Sequence, residues 1–308
     1  AGYLSEGRVQ VTYDPERFTY PDGTEVTLRK PRYATQAALA PDVSLNPRIA
    51  PPMIGLGLIE AIADADLARN ADPEDADADG VSGRIGYVDG AIGRFGWKAM
   101  APSLAAQSAT AFSNDMGLST RLRMDPWGDC TAQQADCRAA PHGNPDGGPE
   151  IADALLDLVT FYAAHLAVPA RRDIDAAEVL RGKAQFYDAG CIACHVPKFA
   201  TRADAAPPLR NQLIWPYSDF LLHDMGPGLA DANPTADRAG SEWRTPPLWG
   251  IGLTQVVNGH TYFLHDGRAR SLEEAILWHD GEARAARDAF AALPAGERAA
   301  LITFLESL

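Results

Sequence analysis

What the 308-residue sequence has little of narrows the field first. No apolar run approaches the ~20 residues a helix needs to cross a bilayer, so no membrane span is expected. Basic side chains are in deficit: 27 Lys and Arg stand against 41 Asp and Glu, a formal net charge of −14. That deficit excludes a nucleic-acid binder, which needs a basic surface. An acidic surface suits docking to a basic redox protein, although solubility alone accounts for it better. There is no solenoid repeat, low-complexity tract or like-charge block, and 46% hydrophobic with 22% charged residues describes a folded globular chain. No initiating Met and no signal-peptide pattern precede Ala1-Gly2-Tyr3, which reads as a mature form or a fragment. Cysteine is scarce, and its four positions carry the most information.

Two of the four lie in Cys191-Ile192-Ala193-Cys194-His195, the C-x-x-C-H signature of covalent c-type haem attachment. Two thiols at this spacing reach the two vinyl groups of one haem, and the next side chain, His195, offers an imidazole nitrogen to the iron. A zinc site would want a second ligand pair, and Cys130 and Cys137 have the wrong spacing for one. A redox dithiol has no need of the trailing histidine. Cys130 and Cys137 flank the polar segment CTAQQADC and either close a small disulfide loop or remain free surface thiols. Haem attachment together with a disulfide points to an oxidising compartment, the bacterial periplasm.

Along the chain, RVQVTY and TEVTLRK alternate apolar and polar residues around Asp22-Gly23, the pattern of a β-hairpin. Helical periodicity follows through Leu58, Ile59, Ile62 and Leu67. Ser103 and Gly117 bracket a second helix. A third, closed by Pro169, is expected to turn Leu155, Leu158, Val159, Tyr162 and Leu166 inward, with His165 as an ordinary helix histidine. The character of the chain changes near residue 170, so the expected division is 1–170 and 171–308. In the second part a helix runs into the haem motif and another ends the chain. Val179, Leu180 and Phe186 of the first are expected to face Leu301, Phe304 and Leu305 of the last. Asp75, Asp77 and Asp79, followed by Gly80, alternate as in the first half of a calcium loop. The twelfth position is Gly86 rather than Glu, so the segment is no EF-hand; the expectation is a calcium site completed by backbone carbonyls, against a solvated acidic turn.

The segments RGKAQFYDAGCIACHVPKF, LLHDMGPGLAD, SEWRTPPLWGIGLT, NGHTYFLHDGRARSLEEAILWHDGEA and LITFLESL resemble the di-haem oxidoreductase family. That family comprises peroxidase-like, also called thiol-oxidoreductase-like, proteins related to bacterial di-haem cytochrome c peroxidases. Upstream, PPMIGLGLIEAI, DADADGVSGR and GRFGWKAMAPSLAAQSATAFSNDMG resemble it too, so the likeness spans nearly the whole chain. The expected fold is mainly α: a C-terminal cytochrome c-like domain, and an incomplete N-terminal cytochrome-like half with a small β-hairpin appendage. Members carry two C-x-x-C-H motifs and this chain has only the second, so an upstream haem-bearing segment is expected elsewhere. In the related peroxidases peroxide reacts at that first haem.

The resemblance also suggests roles. In the relatives an H-D-G motif is followed about fourteen residues later by the distal ligand of the C-terminal haem. Here His265-Asp266-Gly267 leads to His279, giving an expected bis-histidine haem with His195 and His279 on the iron. Met225 is the runner-up, and His223, His260 and His265 are expected to bond propionates or backbone. Gln107 and Asp115 fall near the positions of the glutamine and acid/base group that serve peroxide chemistry, with the register off by two; Asp115 as a mere helix-end cap is an equal reading. Trp97 is placed between the two haems as an electron conduit, or simply in the core. Arg244 and Arg268 are expected propionate partners, because a guanidinium pairs well with carboxylate. The implied activity is haem electron transfer in a periplasmic peroxidase-like oxidoreductase. Its donor would be a small cytochrome and its oxidant hydrogen peroxide. A plain electron carrier, or a di-haem oxidase of an organic or protein substrate, is the alternative.

Overall fold

The computed structural model describes residues 8–36, 44–144, 147–232 and 240–308. Strands β1 (Val9–Thr19) and β2 (Glu25–Thr35) pair antiparallel from Thr19 opposite Glu25 to Val9 opposite Thr35. Their turn uses Gly23 at φ 85°, a conformation that favours glycine. An isolated two-stranded ribbon is marginal in water. This one is held because its turn end is buried elsewhere: Tyr20 and Leu28 enter the main core, the Tyr20 hydroxyl donates to Glu273 (2.7 Å), and the Arg29 N–H donates to Glu274 (2.6 Å). The hairpin is therefore packed on the C-terminal half and is not an appendage of the N-terminal one.

Next come α1 (Leu56–Glu60) and α2 (Asp64–Ala68), the ladder β3 (Tyr87–Val88) with β4 (Ala91–Ile92), α3 (Leu104–Met116), α4 (Ala135–Arg138) and α5 (Asp153–Ala164). The single helical stretch expected through Leu58 to Leu67 is broken between α1 and α2, where Ile62 leaves the helix to bridge Thr201. Helix α3 has the expected ends. The Ser103 hydroxyl accepts from the Ala106 N–H (3.1 Å), Glu60 accepts from Leu104 (2.8 Å), and Gly117 closes it at φ 67°. Cys130 and Cys137 are joined, Cα atoms 6.1 Å apart.

On α5 the expected inward face is wrong. Leu156 and Ala163 are buried, whereas Leu155, Leu158 and Tyr162 are exposed (Leu158 at 65%). Both stripes are apolar at helical spacing, and α5 packs against α3 on the stripe that contains the small Ala163.

The rest is α6 (Ala177–Asp188), the ladders β5 (Phe199–Ala200) with β6 (Leu213–Ile214) and β7 (Leu222–Asp224) with β8 (Glu242–Arg244), then α7 (Thr254–Asn258), α8 (Leu272–Leu277), α9 (Arg284–Ala292) and α10 (Ala295–Ser307). Helices α6 and α10 cross closely, burying Val179, Phe186, Leu301, Phe304 and Leu305; Leu180 instead points outward. The crossing is set by Gly182, whose hydrogen faces the Ala300 carbonyl where a Cβ would lie 1.8 Å from its oxygen. A second core joins Ile59, Ile62 and Leu104 to Phe199, Phe220 and Trp249. With the Arg84–Leu222 bridge and the Arg244 N–H on the Trp97 carbonyl (2.9 Å), N-terminal segments wall the C-terminal half.

The architecture is not the expected mainly α, cytochrome c-like one. The described residues form ten helices and four two-stranded sheets, about 34% helix and 16% strand. The cause lies largely between residues 196 and 253, where Pro197, Pro207, Pro208, Pro216, Pro227, Pro246 and Pro247 remove N–H donors and lock φ. That stretch makes short ladders and turns where helices would otherwise run. No helix among the described residues is long and apolar enough to cross a membrane.

Candidate haem site

Helix α6 delivers the motif. Gly190, at φ 79°, ends the helix and starts a 3-10 turn over Cys191–Ala193. The His195 N–H closes that turn onto the Cys191 carbonyl (3.0 Å), and neither Cys191 nor Cys194 is in a disulfide. The segment 217–219 runs alongside: Ser218 donates to the Val196 carbonyl and Asp219 to the Cys194 carbonyl, each at 2.9 Å. This places the Tyr217 carbonyl 2.8 Å from His195 Nδ1. A carbonyl only accepts, so Nδ1 carries the hydrogen and Nε2 has its lone pair free.

His279, just beyond α8, repeats the arrangement: its Nδ1 lies 2.8 Å from the Ala275 carbonyl, again freeing Nε2. Burial pushes His195 down to about 4, and His279 is close enough that its charge adds to that shift. His279 is pushed below the ordinary histidine range, first by burial and also by Arg287. Both residues are half-buried. Neutral imidazoles with the outer nitrogen hydrogen-bonded and the inner one free are poised as metal ligands. Burial also pushes the Cys191 thiol up to about 12 and raises Cys194, the latter opposed by His223. Phe186 lies against His195 (ring centroids 6.1 Å), with Tyr217 and Phe304 behind it.

The donor set fits a covalently attached haem. Two free thiols and two imidazoles with a free Nε2 are the four attachment points such a group would use. Two buried donors, the Trp278 indole N–H and the Tyr217 hydroxyl, find no protein partner. Unsatisfied buried donors are costly unless a ligand takes them.

The other expected site residues are placed as follows. Arg244 is buried, donates to the Gly96 and Thr245 carbonyls, and is lowered to about 10 by burial. Arg268 is clamped on Asp266, also donates to Gly228, and lies over the Trp278 ring at 4.7 Å. Trp97 is half-buried against the main core, its indole N–H on the Ile49 carbonyl (2.8 Å). Gln107 is half-buried on α3 and Asp115 exposed in its last turn. His265 stacks on Trp243 (3.7 Å), His260 on Tyr262, and Met225 packs at the edge of the main core. Of the acidic loop, Asp75 and Asp77 converge with Asp72, their oxygens within 4.8 Å, while Asp79 turns to cap the Val81 N–H (2.8 Å).

The sequence reading missed a buried cluster against Cys194. His223 Nε2 lies 2.8 Å from Asp219 and Nδ1 2.7 Å from Glu282, with Cys194 Sγ 3.6 Å away. Burial alone would lower His223, but bonds to Asp219, Cys194 and Glu282 outweigh it and hold the ring well above its usual value. Glu282 is held down at about 2: burial would raise it, and bonds from His223 and the Asp224 N–H prevail. Asp219 and Glu282 lie 63 residues apart in sequence, and no local pattern links them.

No curated protein matches the chain. Among solved structures it is similar to Kuenenia stuttgartiensis hydrazine synthase pressurized with xenon, at 16% identity and a TM-score of 0.35, covering 88% of this chain and 98% of that one. A family model described as "Di-haem oxidoreductase, putative peroxidase" matches residues 3–308. The chain belongs to the di-haem oxidoreductase family.

Proposed function

We propose that this chain binds one c-type haem through Cys191 and Cys194, with His195 and His279 as its two iron ligands, and relays electrons in a two-haem, peroxide-consuming oxidoreductase of the periplasm. The observation that carries the reading is the matched pair of imidazoles: each spends Nδ1–H on a backbone carbonyl and frees Nε2, and one of them directly follows the two free thiols. When bound, haem supplies one-electron ferric–ferrous chemistry. The residues of the chain hold and orient it. Tyr217 and Ala275 fix the ring planes through their carbonyls, Phe186 backs His195, and Trp278 and Tyr217 offer donors to propionates. Two imidazoles, from His195 and His279, would leave no ligand position open to peroxide on this haem, which would suit a relay rather than a reaction centre.

The family description names two haems and this chain carries one C-x-x-C-H, so the peroxide-reactive haem is assigned to a segment outside residues 1–308. Asp115, exposed at the end of α3, would exchange protons there beside Gln107, and Trp97 would lie on the electron path. The paired Cys130 and Cys137 support an oxidising compartment. A protein carrying both haems is expected to turn over hydrogen peroxide with a reduced small cytochrome as donor, and Asp115→Asn to slow it at least tenfold. Absence of turnover in the two-haem protein would contradict the peroxidase role.

A further inference from the structure

The cluster behind Cys194 has a role that the haem reading by itself does not supply. His223 is 2% exposed and both its ring nitrogens face carboxylates, Asp219 and Glu282. Carboxylates only accept, so both nitrogens carry hydrogens and the ring is an imidazolium. Glu282 is the hub. Besides His223 it accepts from the Ser82 N–H (3.0 Å), the Ser82 hydroxyl (2.9 Å) and the Asp224 N–H (3.1 Å). It stands three residues after His279, in the 3-10 turn Gly281–Ala283. Gly281, at φ 57°, seats that turn so tightly on β7 that a Cβ would lie 2.2 Å from the Asp224 carbonyl oxygen. At the other end His223 touches Cys194 and Asp219 caps its carbonyl. A chain of contacts thus runs from the attachment turn, one residue before His195, to the turn that follows His279: the Cys194 Sγ contact and the Asp219 N–H bond at one end, and the His223–Glu282 ion pair at the other.

We propose that His223 and Glu282 are positioning residues: their buried ion pair, anchored by Ser82, fixes the separation of the His195 and His279 imidazoles and so holds His279 on the iron. To move the end of α8 away from the attachment turn, the protein must leave buried charges unpaired, which is strongly unfavourable. Neither residue touches the iron.

This inference rests on the bis-histidine reading, which is tested separately on the unsubstituted protein. A methionine-to-iron band in the near infrared, or a high-spin ferric signal there, removes that reading itself. On the haem-loaded full chain, Glu282→Gln preserves shape and, with its carbonyl in the place of Oε1, the bonds from the Ser82 hydroxyl and the Asp224 N–H, but it sets an amide NH2 against the imidazolium and the Ser82 N–H. Its ferric electron paramagnetic resonance (EPR) spectrum is expected to lose part of the low-spin signal to a high-spin component, and its midpoint potential to shift, with haem still covalently bound. If that variant does not accumulate folded, Ser82→Ala, at a half-exposed position, should show the same changes in smaller degree. Low-spin signal and midpoint potential both unchanged in the folded variant would overturn the proposal.

Discussion

Replacing His279 with alanine is expected to abolish nearly all of the low-spin ferric signal of the haem-loaded protein while leaving the haem attached. Cys191, Cys194 and His195 are anchored without the His279 ring, through α6, the Cys191 carbonyl and Tyr217. Loss of the His279 ring therefore removes one axial ligand and nothing from the attachment turn. The iron goes to high spin, and millimolar imidazole should restore the low-spin spectrum by filling the space of the lost ring. The readout is EPR and the visible spectrum of the ferric protein, with intact mass as the control for attachment. An unchanged low-spin spectrum would mean that another side chain, Met225 foremost, holds the iron. A shift to high spin without imidazole rescue would mean a wider collapse.

Gly182→Ala is expected to destabilise the protein by about 2 kcal/mol or more. The added methyl would sit 1.8 Å from the Ala300 oxygen and 2.4 Å from its carbonyl carbon, both backbone atoms that no rotamer change can move. Overpacking in a fitted interface typically costs about 1–3 kcal/mol, and the alanine returns about 1 kcal/mol of helix propensity. Because the obstacle is backbone, α6 and α10 must separate, loosening Val179, Phe186, Leu301 and Phe304 together, so the cost belongs at or beyond the upper end. Denaturant unfolding should show a lower midpoint with an unchanged slope. A midpoint equal to or above that of the parent protein would show that the helices do not meet at Gly182.

The parts of the fold legible in the sequence are those with short-range signals. The C-x-x-C-H turn, the capped ends of α3 at Ser103 and Gly117, the Asp22-Gly23 hairpin and the α6–α10 pairing all follow from spacing, caps and periodicity. The orientation of α5 does not, because Leu155, Leu158 and Tyr162 form as good a helical stripe as Leu156, Val159 and Ala163. Only the partner surface on α3 decides between them. The placement of the hairpin over Glu273 and Glu274, more than 240 residues away, had no local signature either. Nor did the Asp219–His223–Glu282 cluster: His223 stands out in the sequence, but Asp219 and Glu282 look like ordinary surface carboxylates, and the ring bonds them rather than propionates or backbone. The prolines between 196 and 253 are visible in the sequence, and they favour the short ladders and turns that take the fold away from a mainly α one.

The claim on which the rest depends is covalent haem at Cys191 and Cys194. Its most direct test is the intact mass of the full chain, expressed in a host with cytochrome c maturation machinery and measured under denaturing conditions. The account predicts the chain mass increased by one haem that acidic acetone does not extract, with no thiol left to titrate at Cys191 or Cys194. A chain of unmodified mass, with both thiols free, would contradict it.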